Sequence, residues 1–380
     1  MGNKASASHT PKSNAPNPQL VSAFDRISES QQSISHTKFQ EKFGKHISEG
    51  LWKYLKGGSE DSELTKEQFY QNGQSLLMGS DELIRVMMPV DLLLNACLEA
   101  NDIQEEEKDK KFLESLQQDM TINGDTCGSI IQWKNNVCPR LCQTLQDKIL
   151  DVFFGRSRPS GMIQSDILST TQAFILCHCL PTTVFFPQLE SQSQSEEQNV
   201  NKQWTKLYSS VSQGISINRF EANCFNYKGA TVAIFKLTNE DIYAIAADQE
   251  WRHSVKKFGG PNSILFQLHP LFKRIDAESP AIYCNFKTRS STPLGLTFGR
   301  GQFSLDGDMA NLFDMEVWGC AGGGALEEQQ KQKLWLKRQA EKNSTVPMPG
   351  NWDDNPDKSI MEMHGFQFSN ERNNDRPADC

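Results

Sequence analysis

The chain reads as an α+β protein: a helical N-terminal half, then a mostly antiparallel β domain, then a C-terminal helix. Three observations predict this. Apolar residues recur at helical spacing over residues 20–154. Over residues 204–319 they fall instead into short β-branched and aromatic runs at hairpin spacing. Residues 325–342, ALEEQQKQKLWLKRQAEK, then return to helix formers.

Phe39, Phe43, Ile47, Leu51 and Leu55 fall every four residues and predict one apolar helix face. Thr65-Lys66-Glu67-Gln68 has the spacing of a capping box and opens the next helix. Asp81 starts another, with Pro89 as its break, because proline lacks the amide that a helix interior needs. Further helices are expected over 108–119 and over 128–154, the second bent or split near Pro139. Residues 155–161, GRSRPSG, have linker composition. A short helix follows over 164–179, then a Gln/Ser/Glu loop of low complexity over 191–201, expected to be mobile.

The β domain is expected to open with short helices over 202–210 and 216–223. Strands follow over 231–237, 242–247, 263–268, 272–275, 281–286, 294–298 and 313–318. The first two flank the polar turn 238–241 and form a hairpin. Residues 319–324 are glycine-rich and read as a hinge, having neither G-K-[ST] nor a complete G-x-G-x-x-G for phosphate. The 325–342 helix lacks a continuous apolar stripe, so it does not belong in a core of its own. Its apolar cluster, Leu334, Trp335 and Leu336, reads as an anchor for a partner, with Trp352 and the apolar residues of 361–366 as further contacts. Folding back onto the β domain is the alternative for this helix.

Composition narrows the function. A net charge of −8 without a basic stripe argues against general nucleic-acid binding. No apolar run reaches the ~18–20 residues of a membrane helix. The ten cysteines lack metal or disulfide spacing, and Cys177-His178-Cys179 sits in the apolar run FILCHCL as core. No metal, cofactor or catalytic residue is assigned. The G-x-S-x-G and H-E-x-x-H motifs are missing, and His253 and His269 neighbour Asp248, Glu250 and Ser254 in sequence only. Met1-Gly2-Asn3-Lys4-Ala5-Ser6 fits the acceptor pattern for myristoylation at Gly2. One acyl chain binds membrane marginally, so stable residence needs a second contact.

Six ordered segments resemble a TLDc domain, the module of oxidation-resistance-type proteins. They are WTKLYSSVSQGISINRF (204–220), GATVAIFKL (229–237), YAIAADQEW (243–251), SILFQLHPLFKRI (263–275), LGLTFGRGQFSLDGDM (294–309) and FDMEVWGCAG (313–322). The glycine run at 295–301 is shorter than usual, with Gly295, Gly299 and Gly301 remaining around Arg300. The layout resembles one branch, the N-myristoylated TLDc proteins of the mTOR-associated lysosomal type, whose N-terminal half is EF-hand-like. A calcium loop with Leu64 at its eighth position would begin at Gly57 and end at Gln68, with Ser59, Asp61 and Ser62 between. Such a loop has too few carboxylates to hold calcium, so a helix-loop-helix scaffold is expected.

The resemblance implies an EF-hand-like helical domain at 20–155, a TLDc β-sandwich with flanking helices at 162–321, and a C-terminal helix and tail at 322–380, after a disordered, lipidated segment at 1–19. It implies a monomeric, non-enzymatic adaptor. This adaptor binds the cytosolic sector of the V-ATPase and inhibits or disassembles it, in the cytoplasm and peripherally on lysosomal or endosomal membranes. It also implies a role in oxidative-stress or growth signalling. Two alternatives stay open: a redox protein using exposed cysteines such as Cys224, Cys284 or Cys320, and a signalling scaffold independent of the pump.

Overall fold

A computed structural model describes residues 17–59, 62–77, 79–156, 162–187, 204–287, 292–321, 323–344 and 356–365. The chain divides into two units, Met1–Leu326 and Glu327–Cys380.

The first unit opens with helices α1 (Pro18–Ser28), α2 (His36–Phe43), α3 (Lys45–Leu55) and α4 (Lys66–Gly73). They form two helix-loop-helix pairs joined by a short antiparallel ribbon, β1 (Ser33–Ser35) with β2 (Glu63–Thr65). Ile34 pairs with Leu64 in that ribbon, and both are fully buried. This is the EF-hand-like arrangement. The capping box opens α4: Gln68 N–H donates to Thr65 Oγ1 (3.4 Å) and Thr65 N–H to Gln68 Oε1 (3.0 Å). The apolar face from Phe39 to Leu55 is buried as expected, but it spans two helices. Gly44 separates them at φ +95°, which favours glycine, and a Cβ there would meet Glu99 at 2.5 Å.

α5 (Ser80–Val86), α6 (Val90–Glu99), α7 (Lys110–Met120), α8 (Cys127–Val137) and α9 (Gln143–Phe154) complete the helical half. The split between α8 and α9 brackets Pro139, where the missing amide ends the helix. α10 (Thr170–Cys179) is buried over residues 171–179 and has no polar face. A helix apolar all round belongs in an interior, and α10 lies between the helical half and the large sheet. Gln172 Nε2 donates to Leu268 O (3.0 Å) on that sheet. The short helix α11 (Thr182–Phe185) follows.

The large sheet runs β3 (Thr205–Ser209), β12 (Leu312–Gly319), β4 (Thr231–Leu237), β5 (Ile242–Ala247), β7 (Ile264–His269), β8 (Lys273–Asp276), all antiparallel. A smaller antiparallel sheet runs β11 (Phe303–Asp306), β10 (Gly295–Phe298), β9 (Ile282–Asn285), β6 (Ser254–Phe258). Side chains alternate along β4 and β5. Ala233, Phe235 and Ile245 face a core shared with Ile282, Leu296, Phe298 and Leu305 of the small sheet, which makes a sandwich. Val232, Ile234, Ala244 and Ala246 face the other way, into the core of α10 and the helical half.

The 202–210 helix expected from sequence is a correction. Residues 205–209 are strand β3, paired with β12, and only α12 (Ser210–Gln213) after it is helical. Tertiary pairing overrides a local pattern of this length. α13 (Ile217–Cys224) matches the second expected helix. β6 and β11 were absent from the expected strands.

α14 (Gly323–Ser344) begins at the end of the first unit and continues into the second, which also holds α15 (Pro356–Met363). No helix among the described residues is long and apolar enough to cross a membrane.

Candidate functional site

α14 is a 22-residue helix whose composition is mostly charged and polar. Leu334 and Trp335 are 50% and 59% exposed. The backbone of Leu336 belongs to the same helix, and its side chain lies outside what is described. Gly2, Trp352 and Phe366 lie outside the described residues. On α15, Ile360, Met361 and Met363 are exposed. The second unit therefore presents large apolar side chains on two helices that are otherwise polar.

The first three residues of the 319–324 segment are held to the β domain. Gly319 is the last residue of β12, and a Cβ on it would meet the Tyr227 ring at 2.5 Å. Cys320 N–H donates to Ala230 O (2.9 Å), and Ala321 N–H donates to Tyr227 Oη (2.9 Å). The backbone is held as far as Ala321.

The thiols taken as exposed are corrected. Cys224, Cys284 and Cys320 are all buried, because their strand and helix positions face the interior. Burial, reinforced by Glu221, pushes the Cys284 thiol up to about 12. Burial, reinforced by Cys177, drives Cys320 well above the usual thiol range. Protonated, enclosed thiols are poor nucleophiles. In α10, His178 Nδ1 donates to Phe174 O (2.7 Å), and burial with the nearby Arg140 charge lowers its pKa to about 3.

One titratable cluster was invisible to local spacing. His253 Nε2 lies 2.8 Å from Glu221 Oε1 on α13, and Lys287 Nζ pairs with the other carboxylate oxygen. Phe286 N–H donates to His253 Nδ1 (3.4 Å). Asp248, the sequence neighbour of His253, turns elsewhere. Its carboxylate accepts from the Gly260 amide (2.6 Å), the Asn262 amide (3.0 Å) and Ser263 Oγ (2.7 Å). The Glu221 carboxylate is thus paired with Lys287, and with His253 beside it the cluster ties α13 to the segment after β9.

A cleft of about 430 Å³ in the helical half is lined by residues including His46, Asn95, Glu99, Asp102 and Glu105. Glu99 is committed there to the amides of Lys45 (2.7 Å), His46 (2.8 Å) and Ile47 (2.9 Å) at the start of α3. The cleft wall is a helix cap.

A family model described as the TLDc domain matches residues 162–334. Residues 162–334 are a TLDc domain. The match takes in α10, both sheets and the first half of α14, as far as Leu334. The chain is also similar to three fungal proteins named "Restriction of telomere capping protein 5". It is 23% identical to the Leptosphaeria maculans protein over 249 residues, covering 42% of this chain and 40% of the relative. It is 23% identical to that of Pyrenophora tritici-repentis over 252 residues, with the same two shares. For Colletotrichum graminicola the identity is 21% over 239 residues, 42% of this chain and 39% of the relative. The chain spans about two fifths of the length of these relatives.

Proposed function

We propose that this TLDc protein is a non-enzymatic, membrane-associated adaptor that binds and regulates the V-ATPase on lysosomal or endosomal membranes. The observation that carries a binding role is the exposure of Leu334 and Trp335 on the otherwise polar α14. Desolvating an aromatic anchor is the main source of hot-spot energy at interfaces. The V-ATPase as partner follows from the TLDc resemblance. Myristoylation at Gly2 supplies a weak membrane contact, and the protein partner supplies the second.

Affinity capture of the full chain from cytosol with membranes, with and without ATP, tests this. Recovery of cytosolic-sector subunits, reduced by Trp335→Ala, is the expected result. Absence of every V-ATPase subunit under both conditions sinks the reading. Gly2→Ala separates lipid-driven from partner-driven targeting: unchanged membrane association removes the lipid contribution. The name carried by the fungal relatives supports a second reading, restriction of telomere capping. Telomere-capping proteins in the same capture, with the pump absent, favour it. The three thiols named for the redox alternative are buried, which removes their support for it.

A further inference from the structure

The two sheets of the TLDc domain have four edges, and three are held against other parts of the chain. Beside β3, Lys206 Nζ and Ser209 Oγ both donate to Asp166 (2.8 and 2.7 Å). At β8, Phe272 N–H donates to Ser115 Oγ on α7 (2.9 Å) and Arg274 Nη1 to Val137 O at the end of α8 (3.0 Å). Along β11, Asn311 Nδ2 donates to Ser304 O (3.1 Å), and Asp306 N–H donates to Asn311 Oδ1 (3.0 Å). β6 is different. It has β9 on one side and no strand on the other among the described residues. Its register with β9 is held at Ser254 and Phe258 and is interrupted between them. The intervening Val255, Lys256 and Lys257 are exposed, and the Lys256 amide donates to Ser254 Oγ (3.2 Å), a contact an incoming strand would have to replace.

An open edge can pair with any extended backbone, so its side chains decide what may approach. Here they are basic in a chain of net charge −8. Arg252 stands over the Phe258 ring (4.8 Å), and Lys256 and Lys257 follow on the strand. Lys257 Nζ donates to Gly299 O, beside Arg300. The nearby acids are largely matched: Glu221 by Lys287, and Glu278 by Arg300 at 3.4 Å. Glu250 is the exposed exception.

We propose that β6 is a docking edge for an acidic, extended peptide segment, which adds as a strand to the small sheet. Backbone hydrogen bonds supply the pairing, and Arg252, Lys256 and Lys257 supply selection by charge. Like charges directly opposite one another are unfavourable across a strand pair, so a second copy of the same edge is a poor occupant. The proposal does not depend on the V-ATPase reading.

The probe is a fluorescent peptide of about eight residues alternating glutamate and valine, titrated onto the full chain. Two controls are the same peptide N-methylated at alternate residues and a peptide alternating lysine and valine. Binding of the acidic peptide is expected, with hydrogen-exchange protection centred on residues 254–258. N-methylation and the double change Lys256→Glu, Lys257→Glu should each weaken it by about tenfold or more, the scale of 1.4 kcal/mol. Equal binding of the N-methylated peptide, protection elsewhere than 254–258, or no acidic-peptide binding beside tight binding to phosphatidylserine vesicles would each overturn the proposal.

Discussion

Trp251 donates its indole N–H to Thr231 Oγ1 across 2.7 Å, with both residues buried. The bond ties the loop between β5 and β6 back to the first residue of β4. Thr231→Val keeps the shape but orphans a buried donor, which costs about 1–3 kcal/mol. Denaturant unfolding should show a lower midpoint at unchanged slope. Trp251→Phe should cost more, because it adds a cavity to the lost bond.

Glu99 caps α3 from a distant helix, its carboxylate accepting from three successive amides. Glu99→Ala should lower stability by about 1–2 kcal/mol, as the loss of an N-cap does. Gly44→Ala should be at least as damaging, since its Cβ would collide with that carboxylate at a φ of +95°. Thermal melts of the two single variants and the double variant check this. Strongly sub-additive losses are expected, because both changes act on one contact.

His178 makes stability depend on acid. Its folded pKa of about 3 lies below the ordinary imidazole value of 6.5, so the unfolded chain binds the extra proton between those limits. Its contribution is complete above about pH 6.5 and is lost as pH falls toward 3, at up to about 1.4 kcal/mol per pH unit. Unfolding free energies over that range should flatten in His178→Gln. An unchanged slope would show that His178 is not the group responsible.

Glu316 is a fully buried carboxylate that receives the Asp166 amide (2.9 Å) and the Ser165 hydroxyl, with Lys206 Nζ at 3.7 Å. Glu316→Ala should cost about 1–3 kcal/mol by leaving those donors unmatched. Glu316→Gln should recover part of the loss. Chemical denaturation separates the two variants.

Trp335→Ala should leave the melting temperature nearly unchanged, because exposed substitutions away from caps and cores stay within about 0.5 kcal/mol. Partner capture by the same variant should fall. A large loss of stability instead would assign Trp335 to packing.

Legibility in the sequence followed local pattern. β4 and β5 coincide with the apolar runs at 231–237 and 242–247, and the capping box opens α4 at the expected residue. β6 escaped because SVKKF is a polar edge strand with little alternation to detect. β3 escaped because its partner, β12, lies about a hundred residues away in sequence. Gly44 hid a helix break inside an unbroken four-residue periodicity. The Glu221–His253–Lys287 cluster spans three segments, so no spacing rule could assemble it. The buried cysteines were misjudged because exposure is a property of the packed chain.

The burial of α10 gives the start of the TLDc match, at residue 162, an unexpected meaning. What is a module boundary in the linear text is the middle of an interior in three dimensions. Excising the module there would leave α10 on the sheet but strip the helical half from it, exposing parts of a helix that is buried over residues 171–179. The two halves are thus a joint inheritance. The N-terminal helices act as the outer cover of α10, and a change that loosens either half should be felt by the other as lost solubility.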